Sequence, residues 1–117
     1  MISKKDIKKN RRIKRTRAKI FGTVKRPRLT VFKSLEHIYA QLIDDQNSKT
    51  IIVSSDFNLN KKNKVKRTIQ AFMVGEDLAK KAKAARVEEI VFDKRGYKYH
   101  GIIKQLADGA RKGGLKF

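Results

Sequence analysis

Basic residues are concentrated at the N-terminal end of the chain, and this limits which part of the sequence can form a folded core. Residues 1–28 hold thirteen Lys and Arg and one acid, Asp6, a net charge of +12, whereas the other 89 residues carry +8. Apolar residues are sparse in the first segment, where Ile13, Ala18 and Ile20 form no continuous helical stripe. Such a segment buries too little apolar surface to fold alone.

The net charge of the whole chain indicates a polyanionic partner. A chain of 117 residues with a net charge of +20 repels itself when compact, and a polyanion removes that cost by neutralising the charge. Nucleic acid is the most common partner of such basic domains. An anionic membrane fits less well, because the N-terminal segment lacks an apolar face. Solubility alone requires a net charge of only about 2–8 on a small domain.

We therefore predict two regions of different character. Residues 1–27 form a basic RNA-binding arm, disordered when free and largely helical over Lys4–Lys19 on RNA. Gly22 is expected to break the arm, and Pro27, the only proline of the chain, marks the entry to the folded body. The globular domain is predicted over residues 28–117.

Two segments after the arm alternate between inward and outward residues. Arg28–Lys33 and His37–Ile43 predict two half-buried antiparallel strands, joined by a short turn at residues 34–36. A second turn at residues 44–48 precedes a third strand, Thr50–Ser54. The side chains predicted to face inward are Leu29, Val31, Ile38, Ala40 and Leu42.

The second half of the chain predicts a helix, a strand and a helix. After a polar connection at residues 56–64, a helical pattern runs from Val65 to about Arg86. The next strand, Glu88–Phe92, is expected to run parallel to the strand before that helix. A second helix begins at Ile102, and Gly113–Gly114 stop it. The predicted inner face of the long helix is Thr68, Ile69, Phe72, Gly75, Glu76, Ala79 and Ala82, flanked by Val65 and Leu78. Several of these residues are small, which would let the helix lie close to a sheet.

The order β-β-β-α-β-α predicts a single α/β domain (α+β-like), in which two helices cover one face of a mixed sheet. The open face would present Arg28, Thr30, Phe32, His37, Tyr39 and Gln41. Aromatic rings between cations and amides form a platform on which RNA bases stack. Alternatively, Phe32 and Tyr39 pair across the strands and cover an apolar patch. Both interpretations stay open for Phe32, whereas the polar neighbours of Tyr39 favour RNA.

The loop Asp93–Gly101 combines tyrosines, cations and glycines. Gly96 and Gly101 allow backbone conformations that are closed to other residues. The loop leads into a helix N-terminus, which attracts anions. One tyrosine is expected to pack back on the sheet, since Tyr97 and Tyr99 point in opposite directions in an extended segment. The side chains that offer stacking surfaces and donors are Arg95, Tyr97, Lys98, Tyr99 and His100.

The sequence offers no candidate catalytic or metal centre. The absence of cysteine excludes zinc fingers, disulfides and thiol nucleophiles. His37 and His100 have no carboxylates nearby at ligand spacing. No serine lies in a nucleophile elbow, and no glycine loop could cradle a phosphate. We therefore expect that the protein is not an enzyme and that it binds no cofactor, no metal and no small-molecule substrate. No apolar run reaches about 18 residues, and no secretory signal is visible, so we expect a cytoplasmic protein without membrane association.

Several of these segments resemble, in order and in register over residues 28–117, the L18 family of bacterial large-subunit ribosomal proteins. The segments are Arg28–Ser34, His37–Asp44, Val74–Gly75, Val91–Asp93, Gly96–Gly101, Leu106–Arg111 and Gly114–Phe117. The resemblance implies a protein without catalytic activity that binds 5S ribosomal RNA and attaches it to 23S ribosomal RNA. It would do so in the central protuberance of the large subunit, beside neighbouring ribosomal proteins.

In the family the arm and the open sheet region contact RNA, which suggests the matching residues here. The residues expected to contact RNA are Lys8, Lys9, Arg11, Arg12, Lys14, Arg15, Arg17, Arg28, Thr30, Phe32, Lys33, Ser34, His37, Tyr39, Gln41, Arg95, Tyr97, Tyr99, His100 and Gly101.

The chain departs from the family pattern at two positions. Ile102 follows the His-Gly pair where the family often has Arg, which puts one expected phosphate contact in doubt; Lys104 could replace it from a different face. Arg86 stands where the family tends to have Gly, which changes how the long helix is capped. The alternative functions are a non-specific RNA chaperone or nucleoid-type protein and an RNA-processing nuclease, although the nuclease lacks a visible hydrolytic centre.

Overall fold

The computed structural model describes residues 4–17, 20–34, 37–56 and 66–117, without the side chains of residues 4, 5, 16 and 17. Its elements are α1 (Lys4–Arg17), β1 (Arg28–Lys33), β2 (Ile38–Asp44), β3 (Lys49–Ser55), α2 (Arg67–Ala84), β4 (Val91–Asp93) and α3 (Ile102–Lys112). The predicted order of strands and helices is confirmed, and α1 precedes it. Val65, the predicted start of the long helix, lies outside the described residues, as do Lys19 and most of the 56–64 connection.

The four strands form one mixed sheet in the order β3-β2-β1-β4. β2 is antiparallel to both β1 and β3, and β4 is parallel to β1. β4 therefore runs in the same direction as β3, as predicted, but it pairs with β1 at the other end of the sheet. Its ladder begins at Val91, because Glu89 forms only an isolated bridge with Lys116. The strand predicted from Glu88 is thus shorter than expected.

The alternation in β1 and β2 places the core where the sequence predicted it. The five inward-facing side chains, Leu29, Val31, Ile38, Ala40 and Leu42, are fully buried. The predicted inner face of α2 is only partly right: Ile69 is 48% exposed, whereas Ala71 and Val74 are fully buried. The buried stripe is rotated because α2 packs against α3 as well as against the sheet.

Glycines bring the axes of α2 and α3 together. A Cβ added at Gly75 would overlap the carbonyl oxygen of Leu106, and one at Gly109 would overlap the carbonyl oxygen of Phe72. The small residues of α2 were expected to let it approach the sheet. At Gly75 the close neighbour is α3 instead.

α1 lies within the segment predicted to be helical on RNA, and its middle rests on the loop between β4 and α3. A Cβ at Gly96 would lie 3.1 Å from the Cβ of Arg12 and 3.4 Å from Cγ1 of Ile13. Gly96 has a φ of 77°, which favours glycine and confirms the conformation predicted for it. Whether the arm is disordered before it meets RNA stays a prediction.

Arg86 ends α2 in a left-handed conformation, with a φ of 62°. Its N–H donates to the Lys83 carbonyl at 3.0 Å, and the Val87 N–H donates to the Ala82 carbonyl at 2.8 Å. This pair of hydrogen bonds is the Schellman motif, whose left-handed position is usually glycine. α3 ends in the same motif with Gly114, at a φ of 110°.

We predict that Arg86→Gly raises the free energy of unfolding by about 0.5–1 kcal/mol. A residue other than glycine in the left-handed conformation costs about 1–2 kcal/mol, and removing this cost outweighs the backbone entropy that a glycine loses on folding. Urea denaturation of the variant and the wild type measures the difference. Lys83→Gly, at a helical position of the same last turn, is the control and should cost about 1 kcal/mol. A destabilised Arg86→Gly variant would mean that the Arg86 side chain contributes more than its backbone costs.

Candidate nucleic-acid interface

The face of the sheet opposite the helices carries an aromatic pair. Phe32 of β1 is the register partner of Tyr39 of β2, and their ring centroids lie 6.1 Å apart. His37 extends the row, with its ring 6.3 Å from Tyr39. Gln41 shares this face and is half-buried, as are Tyr39 and His37, while Phe32 is exposed. Four of the six residues predicted for the open face therefore lie together on it, and the rings of Phe32 and Tyr39 also pair across the strands.

Arg95 covers part of this platform. Its guanidinium carbon lies 4.8 Å from the centroid of the Phe32 ring, in cation–π geometry. Its backbone is left-handed, with a φ of 54°, and its buried Nε has no hydrogen-bond partner. One face of the Phe32 ring is thus occupied by the protein itself.

Arg28 and Thr30 were predicted to lie on the open surface, and this is wrong. Arg28 is 6% exposed and Thr30 is 7% exposed. Both lie beside β4, where Thr30 pairs with the fully buried Asp93. Thr30 Oγ1 is buried without a hydrogen-bond partner. The predicted alternation of side chains along β1 is right, but β4 and the turn after it cover this end of the sheet face.

The Arg28 guanidinium is held by two carboxylates from distant parts of the chain. Nε and Nη2 donate to the two carboxylate oxygens of Asp45 at 2.9 Å and 3.0 Å, and Nη1 donates to Asp93 at 2.7 Å. The hydrogen bond with Asp45 is the main reason that the pKa of Arg28 is raised, against the opposing effect of burial. Arg28 is therefore a permanent cation, neutralised inside the protein.

The same carboxylate holds the root of the arm. The Gly22 N–H donates to Oδ2 of Asp45 at 2.8 Å, and the Asp45 N–H donates to the Gly22 carbonyl at 3.0 Å. A Cβ at Gly22 would overlap the Ile43 carbonyl oxygen. We call Gly22, Arg28, Asp45 and Asp93 the arm clasp. Asp44 behaves as predicted for a turn aspartate, because it accepts from the Gln46 N–H and the Asn47 side chain.

The two tyrosines of the 94–101 loop diverge, as expected. Tyr97 packs against the hydrophobic core, and its hydroxyl donates to the Lys33 carbonyl at 3.4 Å. Tyr99 is 41% exposed and meets Phe92 edge-on, with 5.8 Å between the ring centroids. Arg111 of α3 donates to the Tyr99 hydroxyl at 3.2 Å. Tyr99 therefore lies on the α3 side, away from the Phe32–Tyr39 platform.

Cations of the arm, β1 and the loop meet in one cleft of about 690 Å³. It lies between α1 and the loop, and Tyr97 forms one wall. The Nζ of Lys9 lies 6.0 Å from the Tyr97 ring centroid, and that of Lys33 lies 5.3 Å away. The basic residues that line the cleft are Lys8, Lys9, Arg12, Lys33 and Arg95.

Three other arm cations predicted to contact RNA lie on the outside of α1. The side chains of Arg11, Lys14 and Arg15 are exposed. Arg15 also borders a neighbouring cleft with Lys94 and Lys98. The side chain of Arg17 lies outside the part of the structure that is described.

Ser34 and His37 close the turn between β1 and β2. The Ser34 N–H donates to the His37 carbonyl at 2.8 Å, and the Ser34 hydroxyl accepts from the His37 N–H at 3.1 Å. His37 Nδ1 lies 3.3 Å from the carboxylate of the buried Asp56. Arg67 of α2 donates to the Ser34 carbonyl, a contact that no local sequence pattern predicts.

His100 and Gly101 lie at the start of α3. His100 is exposed, and Gly101 has a φ of 57°, which confirms the positive φ predicted for it. Within residues 4–17, 20–34, 37–56 and 66–117, no cluster of His, Asp and Glu could hold a metal ion. Within the same ranges no helix is both long and apolar enough to cross a membrane.

Comparison with known proteins agrees with the resemblance seen in the sequence. Residues 3–117 match the family described as "Ribosomal L18 of archaea, bacteria, mitoch. and chloroplast". A large ribosomal subunit protein uL18 from Chloroherpeton thalassium is 50% identical over 120 residues, covering 100% of both chains. One from Leuconostoc mesenteroides is 50% identical over 119 residues, also covering 100% of both. One from Caldanaerobacter subterraneus is 46% identical over 117 residues, covering 98% of this chain and 96% of the relative.

These matches span nearly the whole chain, arm included, at identities far above those at which only a fold is shared. The family consists of structural proteins of the large ribosomal subunit, so the predictions of a ribosomal, non-enzymatic protein are confirmed. The chain belongs to the L18 family and is a structural constituent of the large ribosomal subunit.

Proposed function

We propose that this protein binds 5S ribosomal RNA and attaches it to 23S ribosomal RNA in the central protuberance, where its protein partners are neighbouring ribosomal proteins. The observation that carries the proposal is the cleft in which arm, sheet and loop place five cations beside Tyr97. A phosphate backbone is the polyanion that such a groove accommodates. The aromatic row on the adjoining sheet face adds surfaces for unpaired bases.

The arm and the folded body have different roles in this proposal. The exposed cations of α1 contribute affinity by releasing counterions from phosphates, which discriminates little between sequences. Tyr39 and Gln41 lie on β2 and His37 directly precedes that strand, so these side chains contribute selectivity by matching the shape of one RNA. Tyr99, His100 and Gly101 lie at the end of the loop next to α3 and would contact a separate stretch of RNA.

The proposed contacts follow the sequence prediction except at the two buried positions. Ser34 and Phe32 remain contacts at the edge of the platform, and Arg17 remains one within the arm. Arg28 and Thr30 expose too little surface to reach a phosphate or a base. The proposed direct contacts are Lys8, Lys9, Arg11, Arg12, Lys14, Arg15, Arg17, Phe32, Lys33, Ser34, His37, Tyr39, Gln41, Arg95, Tyr97, Tyr99, His100 and Gly101.

A competition titration tests the proposal. Labelled 5S ribosomal RNA and an unrelated RNA of equal length compete for the purified protein at about 0.2 M salt, where non-specific phosphate binding is weak. We expect a strong preference for 5S RNA, and retention of a 23S fragment by the preformed complex. Equal binding of both RNAs would favour the alternative, a non-specific RNA chaperone.

We predict that Tyr39→Ala weakens binding of 5S RNA by about 1–3 kcal/mol, the range for loss of one stacked base. Tyr39 is half-buried on the open face, so the fold should tolerate its loss. Filter binding and circular dichroism on the same preparation separate binding from folding. Val53→Ala is the matched control, because Val53 is 46% exposed and pairs with Gln41 on the same face. Equal losses for both variants would count against stacking on Tyr39.

A further inference from the structure

The arm clasp joins the root of the basic arm to the sheet and to the start of the loop that lines the cleft. Gly22 belongs to the root of the arm, Asp45 to the turn after β2, and Asp93 to the end of β4. One guanidinium, that of Arg28, bridges the two carboxylates over 2.7–3.0 Å contacts. Asp93 also accepts from the Arg95 N–H at 2.8 Å, which extends the network to the loop that faces the arm.

The geometry of Gly22 shows that the root of the arm is packed rather than merely tethered. Gly22 is buried and exchanges two hydrogen bonds with Asp45. A Cβ at this position would overlap the Ile43 carbonyl oxygen and would lie 2.6 Å from the Arg28 nitrogen. Pro27 is also buried, and its carbonyl accepts from the Val91 N–H at 2.9 Å. The chain therefore leaves the sheet in one fixed direction.

From this geometry we infer that the arm clasp positions the basic arm over the cleft beside Tyr97, and that Arg28 and Asp45 act in RNA binding without touching RNA. This inference rests on the proposed function. An arm held in place binds as part of the same unit as the sheet face, at a high effective concentration. An arm released from its root must be ordered anew on the RNA, which lowers affinity although every cation is still present.

The direction in which one substitution changes the affinity for RNA distinguishes positioning of the arm from a simple electrostatic effect. Asp45→Asn removes a negative charge, so an electrostatic model predicts tighter binding of any RNA. The Asn side chain offers only one acceptor, and its amide would oppose one of the donors of Arg28. We expect about tenfold weaker binding of 5S RNA. The matched control is Glu89→Gln, which changes the net charge equally at an exposed position outside the arm clasp and should leave binding unchanged or slightly tighter.

Directed cleavage of the RNA shows where the arm lies on it. The chain has no cysteine, so Lys8→Cys or Lys98→Cys adds a single site for an iron chelate that cleaves nearby RNA. Attached to the arm, the chelate should cut 5S RNA in a discrete region, and Asp45→Asn should make those cuts diffuse. Attached at Lys98 in the loop, it should give the same cuts in both backgrounds. Thermal melting confirms that each variant is folded.

Gly22→Ala is the second variant, in case Asp45→Asn fails to fold. It leaves all three charges in place while its Cβ displaces the root, so it should reproduce the weaker binding and the diffuse arm cuts. The inference is overturned if either folded variant binds 5S RNA as tightly as the wild type, or if cuts from arm and loop are lost together. Failure of the proposed function is distinguishable, because it shows in the wild type as a lack of preference for 5S RNA.

Discussion

Replacing Gly109 by Ala is expected to lower the free energy of unfolding by about 3 kcal/mol, at the upper end of the cost of overpacking a core. The added methyl group would overlap the carbonyl oxygen of Phe72, which belongs to the backbone of α2 and cannot rotate away. The helices would have to separate, and the side chains between them, such as Leu78 and Leu106, would lose contacts. Denaturation in urea, followed by circular dichroism, measures the loss.

The direction of this effect makes the test sharp. Ala is a better helix former than Gly by about 1 kcal/mol, so helix propensity alone predicts that Gly109→Ala stabilises the protein. Gly75→Ala should also destabilise it, because the Cβ would overlap the Leu106 carbonyl oxygen from the other helix. Lys104→Ala, on the exposed side of α3, is the control and should change stability by less than about 0.5 kcal/mol. A stabilised Gly109→Ala variant would mean that α2 and α3 are not in close contact at this point.

Neutralising four cations of α1 should remove a large part of the salt dependence of RNA binding. The variant replaces Lys8, Lys9, Arg12 and Arg15 by Gln. Each phosphate contact contributes about 0.7–0.9 to the slope of log affinity against log salt, so the slope should fall by about 3–4. Affinity at about 0.1 M salt should fall on the order of 100-fold. Filter binding of 5S RNA between about 0.05 and 0.3 M salt provides both values.

A control variant with the same net charge shows whether the salt dependence of RNA binding is set by the position of the cations or only by their number. Four lysines outside the proposed interface, two on α2, one directly before α2 and one near the C-terminus, are also exposed and can be replaced by Gln. They are Lys66, Lys80, Lys83 and Lys116. If RNA lies along the arm and the cleft, this second variant should keep most of the slope. Equal losses in the two variants would show that RNA binds the charge of the whole molecule, as expected for a non-specific RNA chaperone.

The faces of β1 and β2 were predictable because strand periodicity is local. Leu29 and Ile38 are buried because every second residue of a strand points to the same side, whatever the strand pairs with. The face of α2 was predicted less well, since a helix that packs on two partners has a wider buried surface than one stripe. Ile69 was therefore placed inside and Val74 was missed.

The candidate nucleic-acid interface was likewise predictable from the sequence only in part. The residue types of the loop, and the positive φ of Gly96 and Gly101, follow from the local sequence. The contact between Tyr99 and Arg111 depends on how α3 returns to the sheet, and no local pattern predicts it. Phe92 and Phe117 stack on the same side with 5.5 Å between their ring centroids, and this contact also joins segments that are distant in the sequence.

The basic arm and the half-buried sheet could both be predicted from the sequence, because charge density and strand alternation are properties of neighbouring residues. The sequence also indicated a family and a nucleic-acid partner. The role of Arg28 depends on the fold, because its partners lie 17 and 65 residues away in the chain. From the sequence alone such a cation is predicted to contact phosphate, since the carboxylates that neutralise it come close to it only when the chain folds. The physical reason is that burial and ion pairing depend on contacts between distant segments, which local sequence patterns do not encode.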